Sequence, residues 1–457
     1  MHVTPPNWAT LAEQAVMHLC NLIRLDTSNP PGNEAIAAEY VARLLTAHEI
    51  TPVVIETAPQ RSNVVARLKG DGSAAPLLLY FHTDVVPVER DKWTVDPFGG
   101  VVRDGYVYGR GAIDMKGIGA MQLAVFLEIA NAVRQGKLTP RRDLILAATA
   151  DEESDANQGI GVLAEKHPDL LQAEYALSEF GGFSAHINGK RFYPIQAAEK
   201  GNVWMRIIAH GQPGHASIPT PENAVVKLAS ALAKLAHARF PARVTQTAHA
   251  YLSTLADNIG GKQGVALRAW LDMDALREVP IQRVLGNSAL AAELHAITHD
   301  TVTPTGLRAG YKTNVIPSEA EATLDCRTLP GTSADSMVKF IQQLLGEDHH
   351  SLKFVVDSST SAVEFPTQTP LFKLIVHTLQ RHDPAGIPTP YMMSGGTDAK
   401  HLARLGTTCY GFSPLQLSSN ENIFELVHGH DERIPISALA WGVRVLYEVV
   451  ASWICTP

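Results

Sequence analysis

The order of apolar runs along this 457-residue chain predicts an α/β fold interrupted by an inserted α+β segment. Two runs, residues 76–81 and 142–148, are almost continuously apolar, as strands covered on both faces by helices must be. Helical periodicity at residues 13–24, 35–45 and 116–133 is interleaved with such runs, which is α/β order. Near Gln196 the pattern changes to strands with clear in–out alternation and a long helical stretch.

In order, residues 13–24 and 35–45 read as amphipathic helices, and 63–68 and 76–81 as strands. Residues 101–108 read as a hairpin turning at Asp104-Gly105, a dipeptide that accepts the positive φ of a tight turn. Helix 116–133 opens just after Asp114, and strand 142–148 follows. Strand 202–208, the turn Gly211-Gln-Pro-Gly214 and helix 221–237 begin the insertion. Residues 245–299 are mostly helical, with Pro280 the lone proline; strand 320–325, helix 333–345 and strand 352–356 complete it. The α/β character returns from about residue 370, and 436–450 reads as a closing helix. The expected division is a first domain of residues 1–195 and 363–457, holding an insertion of residues 196–362. There is no internal repeat or low-complexity tract.

Composition narrows the function classes. With 45% hydrophobic and 18% charged residues the chain resembles an ordinary globular protein. A net charge of -8 without a basic stripe argues against a nucleic-acid partner. The amino terminus lacks a basic segment followed by an apolar run, so no signal peptide is expected. No apolar stretch is expected to approach the roughly 20 residues that span a bilayer, and no membrane association is expected. Cys20, Cys326, Cys409 and Cys455 are far apart and form no Cys-x-x-Cys pair, so reduced thiols and a cytoplasmic location are the expectation.

Five segments place a metal-type ligand beside a strand end or a glycine turn: Leu77-Leu-Leu-Tyr-Phe-His82-Thr-Asp84, Gly109-Arg-Gly-Ala-Ile-Asp114-Met-Lys-Gly117, Ala150-Asp-Glu152-Glu153, Leu177-Ser-Glu179-Phe-Gly-Gly182 and Val427-His428-Gly-His430-Asp-Glu-Arg433. Ligands of α/β sheets collect at the carboxyl ends of strands, where His82, Glu152 and Glu179 all fall. Singly, each has an ordinary explanation: Asp114 or residues 151–153 as helix caps, Glu179 as a turn carboxylate, His82 as a satisfied polar residue. Converging together, the carboxylates would repel one another without cations. Histidine and carboxylate donors without thiolates suit Zn²⁺, with Co²⁺ or Mn²⁺ as substitutes. Charge balance favours two ions: Asp114, Glu153, Glu179 and one hydroxide together offset four positive charges.

The segments His82-Thr-Asp84-Val-Val-Pro87, Gly109-Arg-Gly-Ala-Ile-Asp114-Met-Lys-Gly117, Asp151-Glu-Glu153, Gly211-Gln-Pro-Gly-His215-Ala-Ser217, Asn314-Val-Ile-Pro-Ser-Glu319, Asp325-Cys-Arg327 and Gly395-Gly-Thr-Asp398 resemble, in order, those of the dinuclear zinc metallopeptidases and amidohydrolases. That family includes aminoacylase-1, acetylornithine deacetylase, succinyl-diaminopimelate desuccinylase, glutamate carboxypeptidase and carboxypeptidase S. The resemblance runs from about Arg24 to Val450. It implies a zinc-exopeptidase-like catalytic domain, a mixed sheet flanked by helices, with an inserted α+β lid that also dimerises. The implied reaction is hydrolysis of an amide or peptide bond by a metal-bridging hydroxide. The implied substrate is small and carries a free α-carboxylate, as N-acyl amino acids and dipeptides do.

By the same resemblance Asp114 bridges two divalent ions, His82 and Glu179 complete one site, and Glu153 and His428 complete the other. His430 stays open as an alternative last ligand. Asp84 orients the His82 imidazole, and Glu152 is the general base. His215 is the oxyanion donor, reaching the other subunit's site in a homodimer formed through the inserted domain. Arg327 and Asn314 meet the α-carboxylate, with backbone N–H groups from Gly395, Gly396 and Thr397. Glu179 stands in Ser-Glu-Phe-Gly-Gly where relatives often have Asn-Glu-Gly-Gly. The helical stretch 245–299 is longer than in compact bacterial deacylases and more like carboxypeptidase S and the N-acyl-amino-acid amidohydrolases. No motif names the acyl group or side chain. Two other classes stay open: a co-catalytic zinc aminopeptidase selecting a free amine, against which Arg327 and Asn314 weigh, and a catalytically silent binding protein of the same fold, against which Glu152 and the full ligand set weigh.

Overall fold

The computed structural model describes residues 5–154, 156–286 and 288–456. The chain forms two compact units, one of Met1–Ala197, Phe365–Tyr391 and Thr397–Pro457, the other of Ala198–Glu364 and Met392–Gly396.

The first unit is built on a mixed sheet. At its centre Leu144–Thr149, Leu77–His82, Tyr175–Ser178 and Thr408–Gly411 lie side by side and parallel. The first three are buried along their whole length, which explains their unbroken apolar sequences. Arg61–Leu68 and then Val53–Ala58 extend one side antiparallel, and Lys190–Glu199 runs antiparallel to Thr408–Gly411 on the other. Helices Trp8–Ile23, Lys116–Arg134 and Ile436–Cys455 pack together in the core, burying Leu19, Phe126, Ile129 and Leu446 among others. The first helix starts five residues earlier than its periodicity suggests because the Asn7 side chain accepts from the N–H groups of Ala9 and Thr10.

One expectation is corrected here. Lys116–Arg134 and Ile436–Cys455, at 19 and 20 residues, are long and apolar enough to cross a membrane. Of their most apolar stretches, 83% and 72% is buried within the protein, so they are core helices whose apolarity serves packing. The hairpin Val101–Arg103 and Tyr106–Tyr108 turns at Asp104 (φ 52°) and Gly105 (φ 81°), as its sequence predicts.

The second unit has a four-stranded antiparallel sheet in the order Thr301–Ala309, Glu319–Thr328, Gly201–His210, Leu352–Thr360. Alternation along Gly201–His210 turns Val203, Met205, Ile207 and Ala209 inward. They meet Leu228 and Leu235 of helix Ala224–Ala236 and Met337, Ile341 and Leu345 of helix Ala334–Leu345. The stretch 245–299 resolves, among the described residues, into Gln246–Asn258, Gly261–Asp272, Asp274–Arg277, Ile281–Leu285 and Ala289–Thr298, with Gly260 and Gly286 at positive φ between helices. Their inner faces bury Leu255, Leu267, Trp270 and Leu294. Strand Thr301–Ala309 escapes a sequence reading because it is an exposed edge, with a register shift at Pro304.

Candidate metal centre

Parallel register assembles the site. His82 ends its strand opposite Thr149, so the chain leaving Leu144–Thr149 carries Glu152 and Glu153 past it. Tyr175–Ser178 pairs on the other side and is followed at once by Glu179. Asp114 arrives on the turn before helix Lys116–Arg134, and His428 on the loop after Ile423–Leu426. Asp151 (φ 68°), Phe180 (φ 51°) and His428 (φ 60°) are in the left-handed region, at a cost on the order of 1–2 kcal/mol each. Such strain is a feature that turns carrying functional residues often share.

The side chains converge. His82 Nε2 lies 3.2 Å from Asp114 Oδ1, 3.5 Å from Glu179 Oε2 and 4.0 Å from Glu152 Oε2. His428 Nε2 lies 3.2 Å from Asp114 Oδ2 and 3.2 Å from Glu153 Oε1. Asp114 therefore turns one oxygen to each imidazole. Two overlapping donor groups result: His82 with Glu152 and Glu179, and His82 with Asp114 and Glu153, donor atoms within 4.8 Å of one another in each. His430 points elsewhere, its Nε2 being 3.1 Å from Glu89.

The electrostatics are those of a site short of positive charge. Burial, together with the charge of Glu179, pushes Glu152 well above the carboxylate range. Burial also raises Glu179 to about 8, with Asp114 and Asp398 adding to it and His82 opposing. Burial opposes charge on His82, yet Asp114, Asp84 and Glu179 outweigh it and lift the imidazole well above its ordinary range. Hydrogen bonding to Asp114 and Glu153 raises His428 to about 10. Four carboxylates thus compete for the protons of two imidazoles. Divalent cations would replace those protons, and a nitrogen and oxygen donor set without sulfur fits Zn²⁺, Co²⁺ or Mn²⁺.

Supporting residues surround this cluster, most of them invisible to motif reading. Asp84 Oδ1 stands 3.4 Å from His82 Nδ1. The Asp84 carboxylate also accepts the Glu152 and Glu153 N–H groups (3.1 Å each) and the Asn29 amide (2.9 Å). One buried carboxylate thereby fixes both the imidazole and the glutamate turn. Arg61 forks onto Glu34 (2.6 and 2.7 Å) and reaches Asp151 (2.7 Å), holding the strained residue before Glu152. Glu432 is fully buried and accepts from Arg110, Gly111, Ile113 and Asp114, tying the Asp114 turn to the segment that carries His428. Tyr80 donates to Asp398, just after the glycine loop. Glu432 and Asp398 lie inside quoted motifs and were findable; Asn29, Glu34 and Arg61 carry no local signal.

The remaining candidates lie mostly in the second unit. His215 and Asn314 adjoin on a short ribbon where Gly214–His215 pairs with Val315–Ile316, and both are exposed. His215 Nδ1 is 2.7 Å from the Ser217 hydroxyl. Arg327 forks onto Asp325 through Nε (2.7 Å) and Nη2 (2.9 Å), which leaves Nη1 outside the pair. Gly395 and Gly396 belong to this unit, whereas Thr397 belongs to the first, where its hydroxyl accepts from the Ala399 N–H at the start of a helix.

A parallel-centred sheet with histidines and carboxylates converging beside its carboxyl edge is the arrangement of a metal-dependent enzyme. Residues 78–452 match the model of peptidase family M20/M25/M40. The chain belongs to that family and is a metallopeptidase/amidohydrolase. It is 28% identical over 434 residues to the probable carboxypeptidase S-like 2 of Dictyostelium discoideum, covering 90% of this chain and 80% of that one. It is likewise 28% identical over 438 residues to the N-fatty-acyl-amino acid synthase/hydrolase PM20D1 of Homo sapiens, covering 93% and 84%. Among solved structures, the M20 family metallo-carboxypeptidase Sso-CP2 from Sulfolobus solfataricus superposes with a TM-score of 0.69 at 16% identity, covering 96% of this chain and 98% of that one.

Proposed function

We propose that this enzyme uses two divalent cations, Zn²⁺ being best suited, to hydrolyse an amide or peptide bond in a small substrate with a free α-carboxylate. N-acyl amino acids and dipeptides are the substrate class. The observation that carries the reading is Asp114, whose two oxygens each face a different imidazole at 3.2 Å. His82, Asp114 and Glu179 would hold one ion, and Asp114, Glu153 and His428 the other. Bound there, such ions supply Lewis-acid polarisation and a nucleophile at neutral pH.

The chain's own groups do the rest. Glu152 takes the proton of the attacking water and passes it to the leaving nitrogen, acting first as general base and then as general acid. Asp84 keeps the His82 ring and the Glu152 backbone in place through its contacts with both. Arg327 grips the substrate carboxylate, with Asp325 fixing the guanidinium plane. Asn314 and the N–H groups of Gly395, Gly396 and Thr397 complete that subsite.

A panel of N-acetyl-L-methionine, its amide, long-chain N-acyl amino acids, dipeptides and amino-acid anilides tests this reading. Free acids should be strongly preferred. Arg327→Ala should cost free-acid substrates about 2–5 kcal/mol of transition-state stabilisation, on the order of 30-fold or more in kcat/KM. The amide should scarcely notice the change. Equal wild-type activity on acid and amide would remove Arg327 from the carboxylate role, and preference for anilides would favour an aminopeptidase.

The proposed assembly is a homodimer through the inserted unit, with His215 serving the partner's site as oxyanion donor. Supporting it, His215, Ile218 (73% exposed), Leu307 (63%) and Tyr311 (83%) stand open on that unit. Mixing inactive His215→Ala with inactive Glu152→Ala should restore roughly half of wild-type activity per mixed dimer, because one of its two sites is intact. No recovery after demonstrated subunit exchange would confine His215 to its own chain.

A further inference from the structure

Lys200 is a charged residue with no role in the chemistry above, yet it is only 2% exposed. Its Nζ donates to the carbonyls of Ala296 (2.9 Å) and His299 (2.7 Å) and lies 3.4 Å from the Thr301 hydroxyl. Ala296 is in the last turn of helix Ala289–Thr298 and His299 follows it, so the ammonium sits on orphan carbonyls at the negative end of the helix dipole. The peptide N–H of the same residue points to the carbonyls of Met393 (3.1 Å) and Gly395 (3.2 Å), in the glycine loop. Immediately downstream, Asn202 pairs across the sheet with Arg327, and Arg327 pairs on its other side with Thr301. One lysine thus joins the end of the helical stretch 245–299, the strand next to Arg327 and the glycine loop.

Burial costs this ammonium, lowering it to about 7, with Asp300 acting in its favour. Three acceptors call for three N–H bonds, which only the protonated form offers. Nothing in a local helix cap requires such a buried donor; exposed lysines cap helices at far smaller cost.

We propose that Lys200 is a positioning residue that makes the helical insert part of substrate recognition, by fixing the Gly395–Gly396 loop and the end of helix Ala289–Thr298 to one point beside Arg327. The proposal rests on the carboxylate reading of that loop and of Arg327. The insert then acts on affinity through the loop, and its own composition can vary without disturbing the reacting groups.

The test compares metal-loaded wild type with Lys200→Met and Lys200→Arg at pH 6.5, using N-acetyl-L-methionine and its amide together with hydrogen exchange read by mass spectrometry. Lys200→Met should raise KM for the free acid about tenfold while kcat stays within about threefold, the signature of lost uniform binding. Lys200→Met keeps the peptide N–H that meets the loop but frees the helix end that holds this backbone in place, so exchange should rise at residues 293–299 and with them at 393–396. Metal content should not change, and Lys200→Arg should recover most of the affinity. Faster exchange at 293–299 alone with an unchanged KM would reduce Lys200 to a helix cap and overturn the proposal. Should Lys200→Met not fold, Lys200→Gln, which keeps two donors without charge, carries the same expectations. Wild-type indifference between acid and amide would defeat the carboxylate reading instead, and the joint exchange response would still decide whether Lys200 links the two segments.

Discussion

Glu152→Ala is expected to retain both metal ions and to lose about 10²–10⁴-fold in kcat, the usual contribution of a general base. The pairing of these two readouts matters because geometry alone does not separate base from ligand here. Glu152 shares a donor group with His82 and Glu179, and Glu153, its sequence neighbour, shares one with His82 and Asp114. The environments differ. Glu153 Oε1 is engaged by His428 at 3.2 Å, whereas Glu152 approaches His82 only to 4.0 Å and is raised by burial and by Glu179. Truncating its side chain leaves the turn intact, since Asp84 holds Glu152 by its backbone N–H rather than its carboxylate. Elemental analysis showing one ion lost would make Glu152 a ligand; near-normal turnover would remove it from the chemistry.

Much of the candidate site was legible because several of its residues sit where strands end. Two nearly unbroken apolar runs announce buried parallel strands whose carboxyl ends gather ligands, and the register His82 to Thr149 brings the residues that follow them together; the third strand, Tyr175–Ser178, is too short to stand out in sequence. Of the two histidines in His-Gly-His, His428 faces Asp114 and Glu153 at 3.2 Å each, whereas His430 lies 3.1 Å from Glu89. The residues that orient the ligands were not legible. Arg61 and Glu34 are 27 positions apart and act on Asp151, a further 90 positions on from Arg61, so no local pattern links them. Lys200 carries no signal in sequence because its partners are backbone carbonyls, which carry no residue identity. The length and apolarity of two helices are underestimated in sequence: Lys116–Arg134 and Ile436–Cys455 have membrane-like composition because most of their surface is packed within the protein.

Asp114→Ala should deplete both ions, leaving clearly less than one per chain by elemental analysis, with activity falling to the background. The shared position explains why one substitution reaches both sites. Asp114 Oδ1 faces His82 and Oδ2 faces His428, each at 3.2 Å, and the two imidazoles belong to different halves of the cluster. Burial opposes the Asp114 charge, yet His428 and His82 outweigh it and hold the carboxyl below its ordinary range. Its removal therefore takes away the donor carboxylate whose charge both imidazoles favour, whereas burial raises Glu152, Glu153 and Glu179. The loop itself should survive, because the Glu432 carboxylate binds the N–H groups of Gly111, Ile113 and Asp114 rather than the Asp114 side chain. Glu153→Ala, by contrast, leaves His82, Asp114 and Glu179 together and should cost one ion more than the other. Two full ions in Asp114→Ala would show that the sites do not share this ligand, and the two-ion reading would then have to be rebuilt around His82, the residue common to both donor groups.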